Sequence, residues 1–219
     1  MATAIYSGTE DGYISVSGPS WGLIRGAGTG THSHTITRYP YAVRASVASG
    51  RGGTTYFISR SFFTFNTRDI VNIPQSAILK IYGYVAGNAD MYLVESNQGT
   101  LLANEDFDAI PGFSDTGLSN GSGQGTMDGH VQLYCDSEIT TWSTSGYNEI
   151  TLNGRALHHL AKHDTFQCVL IAKEDYEDTT PTSGTNYSGV YYADYTGTSR
   201  DPNLQIEEQD NSVFFAANF

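Results

Sequence analysis

The sequence predicts an all-β protein: a jelly-roll β-sandwich of antiparallel strands with one short helix. Three observations lead there. Apolar and polar residues alternate with period two in many short runs; Gly, Ser, Asn and Asp punctuate those runs; and charged residues make up only 16 % of the chain. Irregular spacing and long loops suit a jelly roll better than an up-and-down barrel. The 219 residues suffice for a single domain, drawn at 1–211, followed by an apolar tail at 212–219.

Strands are expected at Ala4–Tyr6, Gly12–Ser17, His32–Arg38, Ala42–Ala48, Thr55–Phe65, Ala77–Val85, Met91–Glu95, His130–Cys135, Glu149–Leu152, Thr165–Ala172, Gly189–Tyr195 and Asn203–Glu207. Thr55–Phe65 carries apolar side chains on both faces, which marks a central strand or one that crosses between sheets. Ile78–Val85 alternates cleanly, as a strand with one wet face does. The helix is placed at Asn153–Lys162, where Asn153 can cap and Leu157, Leu160 and Ala161 share a face. Gly112–Gly129 and the acidic Glu174–Gly184 are read as loops of the same domain.

Net charge is −12, and the only lysines are Lys80, Lys162 and Lys173. No basic stripe is available to neutralise phosphates, so nucleic acid is not an expected partner, and anionic membranes are disfavoured for the same reason. The N-terminus has neither a basic segment nor an apolar one of the secretory kind, and no run of 18 apolar residues occurs. Cys135 and Cys168 sit in apolar, strand-like stretches and are expected as buried free thiols rather than a disulfide.

Several motifs carry chemistry in other contexts. Gly18-Pro19-Ser20-Trp21-Gly22 and Gly117-Leu118-Ser119-Asn120-Gly121 both match the G-x-S-x-G nucleophile pattern, which works only on a strand-to-helix turn. The sequence after Gly22 is too rich in glycine for that helix, so both are read as chance. Gly26–Thr31 lacks the Lys-Ser/Thr ending of a phosphate loop. His32 and His34 project to one side of a strand, where two readings compete: a pair on one ion, and solvent-facing histidines in a hairpin. His158, His159 and His163 belong with the helix and its end. No metal ligand set is assigned and no cofactor is expected; the oxygen-rich stretches Asn104–Asp108 and Glu174–Asp178 leave loop calcium as the alternative to solvated loops. No catalytic residue is assigned. For a sugar ligand, aromatic side chains must stack on the ring, and Trp21, Trp142, Tyr191 and Tyr195 are the residues chosen, with core or interface packing as the competing reading.

The middle of the chain resembles the jelly-roll modules of the disaggregatase-related (DNRLRE-type) carbohydrate-binding group. The resemblance begins at Asp11-Gly12-Tyr13-Ile14 and is clearest in Arg60-Ser61-Phe62-Phe63-Thr64-Phe65-Asn66, followed by the Ile73-Pro74 corner and Ala77-Ile78-Leu79-Lys80-Ile81-Tyr82. It continues in Ile150–Asn153, Thr165–Leu170 and Asp201-Pro202-Asn203-Leu204-Gln205-Ile206, covering about two thirds of the chain as pattern. Modules of this shape also occur on bacteriophage particles. The resemblance therefore implies a non-enzymatic virion protein, first of all a head (capsid) decoration protein on the particle surface, made in the host cytoplasm. A tail or fibre component, or a free-standing carbohydrate-binding module for host attachment, is the alternative; a polysaccharide-cleaving enzyme is the third. The expected partners are the major capsid protein or other virion proteins, a surface glycan, and further copies of the chain, with a trimer favoured. Val213, Phe214, Phe215 and Phe219 are the expected assembly residues if the apolar tail meets a partner; the alternative is that the tail packs on its own domain as an extra edge strand.

Overall fold

A computed structural model describes residues 2–114, 126–127 and 131–208. Its strands, in chain order, are β1 (Ala2–Tyr6), β2 (Gly12–Gly18), β3 (Thr31–Ser33), β4 (Arg38–Gly50), β5 (Gly53–Asn66), β6 (Ser76–Ala86) and β7 (Met91–Glu95). They continue with the two-residue pair β8 (Phe113–Ser114) and β9 (Thr126–Met127), then β10 (Tyr147–Thr151), β11 (Thr165–Ala172), β12 (Tyr187–Tyr191) and β13 (Asn203–Glu207). The helices are α1 (Trp21–Arg25), α2 (Gly154–Lys162) and α3 (Lys173–Glu177), with a 3-10 turn at Asn104–Asp108.

The fold is all-β and antiparallel, in the order β1-β13-β6-β12-β4-β5-β11-β7, with β10 added to β6 and β2–β3 added to β5. Single bridges, Cys135 to Leu152 and Leu133 to Val94, connect β10 through residues 133–135 to β7. The path from β7 round to β10 thus returns on itself, giving two layers around one core.

β5 explains much of this arrangement. Its first half pairs with β4 (Gly53–Ser59), its second half with β11 (Ser61–Asn66), and β2 lies along Tyr56–Phe62. Ile58, Phe62, Phe63 and Phe65 are all essentially buried, as its two apolar faces require. β6 also serves two neighbourhoods. Its first half pairs with β13 and β10, and its end pairs with β12 at Gly83 and Ala86. Gly83 is needed there, because a Cβ would stand 1.9 Å from the carbonyl oxygen of Ser143.

Three strands keep their expected bounds, Met91–Glu95, Thr165–Ala172 and Asn203–Glu207, and the helix at 154–162 is capped by Asn153, whose side chain accepts from the Ala156 N–H. Other expectations are corrected. One helix is expected, and three are found among the described residues. His32–Arg38 is not one strand: β3 ends at Ser33 and Arg38 opens β4. Residues 131–135 contribute isolated bridges in place of a strand, and β12 ends at Tyr191. Glu174–Asp178 is not a solvated loop, because α3 turns Asp175 inward to two arginines and leaves it fully buried. Both cysteines are free and buried, and burial pushes both thiols up. The tail residues Val213, Phe214, Phe215 and Phe219 lie outside the described residues, as does the Gly117–Gly121 motif.

Candidate functional site

A groove of about 530 Å³ opens over β2, β4 and β5. Cross-strand rows build it: Arg44 pairs with Ser59, which pairs with Ser15 on its other side, and the next row is Ser46, Phe57 and Ser17. Thr29, Gly30 and Thr31 form one wall, and Tyr39 and Tyr41 another. Tyr39 stacks on Tyr13 with ring centres 3.8 Å apart, and Tyr41 meets Tyr39 and Tyr187 edge-on. The Arg44 guanidinium lies 3.9 Å from the Phe57 ring centre and 4.7 Å from that of Tyr41, and its Nε donates to Ser46 Oγ at 2.5 Å. No carboxylate pairs with Arg44 among the described residues. On the floor, Ser59 is 2 % exposed and its hydroxyl has no hydrogen-bond partner among the described residues. The Tyr13 hydroxyl stays protonated, its pKa pushed up to about 12 by burial and then by the neighbouring Tyr39. A ring bearing hydroxyls can stack on this surface and exchange hydrogen bonds with it.

Sequence reasoning did not single out Tyr39, Tyr41, Arg44 or Phe57. The residues it did choose lie elsewhere. Trp21 lies on α1, 6 % exposed, against Tyr56. Trp142 is half-buried and donates its indole N–H to the Gly189 carbonyl at 3.0 Å. Tyr191 and Tyr195 come together, with ring centres 5.1 Å apart, but Tyr191 is only 5 % exposed and forms the hub of a ring cluster.

Two further polar clusters stand apart from the groove. In the first, Arg60 holds Asp175 bidentately, Nε to Oδ2 at 2.7 Å and Nη2 to Oδ1 at 2.9 Å, and gives Nη1 to the Phe107 carbonyl at 2.6 Å. Arg25 donates Nε to the Asp175 backbone carbonyl at 2.7 Å and reaches Asp178 at 3.4 Å. Arg25, Arg60 and Asp175 are all 0 % exposed, so this cluster joins α1, β5 and α3 rather than meeting a ligand. In the second, Tyr134 Oη lies 2.7 Å from His159 Nδ1, with Glu95 beside the imidazole and Arg155 on Glu95. Burial, partly opposed by Glu95, holds the His159 pKa below its ordinary value, so the ring is neutral at pH 7.

The Ser20 motif needs a correction. Ser20 does stand between a strand, β2, and a helix, α1, contrary to expectation. Its backbone is relaxed and extended (φ −133°, ψ 127°), unlike the sharp, strained turn that exposes a nucleophile. His32 and His34 do lie side by side, with rings stacked 5.4 Å apart, and His32 Nδ1 lies 2.7 Å from Asn104 Oδ1. Among the described residues no three His, Cys, Asp or Glu side chains are placed to hold a metal ion.

Asp11 gives a pH-dependent prediction. Fully buried, it accepts from Ser7 Oγ at 2.8 Å and from the Ala193 N–H, yet burial raises its pKa well above the carboxylate range. The folded protein therefore holds this proton at pH values where the unfolded chain has lost it, and that contribution to stability falls as pH rises above about 4. Asp11→Asn should unfold at a higher denaturant concentration than the parent at pH 7 and at the same one near pH 3. Lower stability of the variant at pH 7 would contradict the assignment.

No protein-family model and no curated protein sequence matches the chain.

Proposed function

We propose that the chain is a non-enzymatic structural protein of a bacteriophage particle, carried on the head as a decoration protein, and that its surface groove is where it touches glycan. The observation that carries this reading is the chemistry of the groove: tyrosine and phenylalanine rings, serine and threonine hydroxyls and one guanidinium line it, with the unpartnered Ser59 hydroxyl below. Such a lining holds and orients a polar ring, and its lining residues include no carboxylate, imidazole or thiol to attack one. The two-layer antiparallel scaffold agrees with the jelly-roll modules that the sequence resembles, and a tail or fibre station would use the same surface. Contact of this kind needs area and apolar anchors, with copies of the chain and the major capsid protein as neighbours.

Density-gradient-purified particles of the source phage test the reading. The chain should co-sediment with the major capsid protein at a fixed ratio, and antibodies against it should label intact heads. A chain found only in the lysate supernatant would overturn it.

A further inference from the structure

A second surface, on the opposite face of the β4–β12 pair from Tyr39, is built from arginine and tyrosine. Arg38 pairs in register with Tyr191, and Tyr39 with Val190, so these two pairs point to opposite faces of the sheet. Arg38 donates Nη1 to the Tyr191 hydroxyl at 3.1 Å, and Arg200 donates its own Nη1 to the same oxygen at 2.6 Å. Two guanidiniums therefore end side by side. Their planes rest on rings: Arg38 lies 4.4 Å from the Tyr84 centre, and Arg200 lies 4.6 Å from Tyr191, 5.0 Å from Tyr195 and 5.1 Å from Tyr82. Packing on aromatic faces fixes each fork and leaves its remaining N–H groups at the edge.

What this pair lacks is a counter-charge. Arg25, Arg60, Arg68, Lys80, Arg155 and Lys173 each have a carboxylate within 4 Å, while Arg44, Arg51 and Lys162 stand singly without one among the described residues. Among the described residues neither Arg38 nor Arg200 has one, although acidic residues outnumber basic ones 23 to 11. Two adjacent positive charges repel each other, and the Tyr191 hydroxyl can only share its lone pairs between them. Two forks converging from β4 and from the connection between β12 and β13 suit a tetrahedral group with several oxygens and two charges better than a planar carboxylate, which a single fork satisfies.

We propose that Arg38 and Arg200, oriented by Tyr191, form a binding site for a phosphate monoester. The site is independent of the groove and of the virion assignment. A phosphorylated sugar and a phospholipid headgroup present the same chemistry, so the test includes both.

The experiment titrates the full chain with inorganic phosphate, and with acetate at equal ionic strength, while following the arginine Nε–H signals by NMR. Phosphate should give saturable shifts at two arginines, and acetate should give none that saturate. Arg38→Gln should weaken phosphate binding at least 10-fold at an unchanged unfolding midpoint, and Arg38→Lys, which keeps the charge but loses the fork, should weaken it less. Parallel titrations with glucose 6-phosphate and with phosphatidic acid vesicles separate the two sources, the tighter one naming the ester. Equal responses to phosphate and acetate, or unchanged phosphate affinity in both Arg38 variants, would overturn the proposal.

Discussion

Asp175→Ala should be the most destabilising single substitution in this protein outside the apolar core. It removes the one carboxylate that both buried arginines address and leaves two guanidiniums at 0 % exposure. Removing one partner of a buried ion pair costs about 3–5 kcal/mol, because the remaining charge has lost its compensation without regaining water. Against a total stability of about 5–15 kcal/mol, that is a large fraction. For a chain of this size the melting temperature should fall by roughly 10 °C, at about 2–4 °C per kcal/mol. Replacing Arg25, Arg60 and Asp175 together with apolar residues of similar volume should recover much of the loss, since the desolvation cost disappears along with the attraction. Calorimetry of the two variants decides it, and a single variant as stable as the parent would show that the cluster does not hold α3 to β5.

The second large effect belongs to the groove. Tyr41→Ala removes a ring that packs edge-on to Tyr39 and Tyr187 and flanks the Arg44 guanidinium. Tyr41 is half-buried at the groove's edge and lies outside the buried core, so the fold should survive while the surface loses its shape. In affinity electrophoresis through host surface polysaccharide, the parent should be retarded and Tyr41→Ala should run at least 10-fold less retarded. Trp142→Ala should retain its mobility shift, because its indole is spent on the Gly189 carbonyl. The opposite pattern would move the glycan contact from the groove to Trp142.

Much of the scaffold was legible in the sequence, for physical reasons. Met91–Glu95, Thr165–Ala172 and Asn203–Glu207 read correctly because unbroken β-rich runs end at polar or turn residues. Asn153 announced α2, since an amide before an apolar face satisfies the first free N–H groups. The groove could not be read the same way. Strict alternation puts Tyr41 and Arg44 on opposite faces, but β4 advances four residues, Val43 to Tyr39, while β12 advances two, Ser188 to Val190. That irregularity brings Tyr39, Tyr41 and Arg44 to one groove. Asp175 was misread because its burial depends on Arg60, 115 positions away, and local composition reports only an acidic run. Trp21 suggested a stacking platform by its size, yet the same size makes it useful under α1, where it packs on Tyr56.

A cryo-electron reconstruction of the intact particle tests the central claim most directly. The account predicts copies of this two-layer β fold on the outer head surface, seated on the major capsid protein, with the rim formed by Tyr39, Tyr41 and Arg44 turned to solvent. Heads without this density, or copies whose groove is closed against the shell, would contradict it.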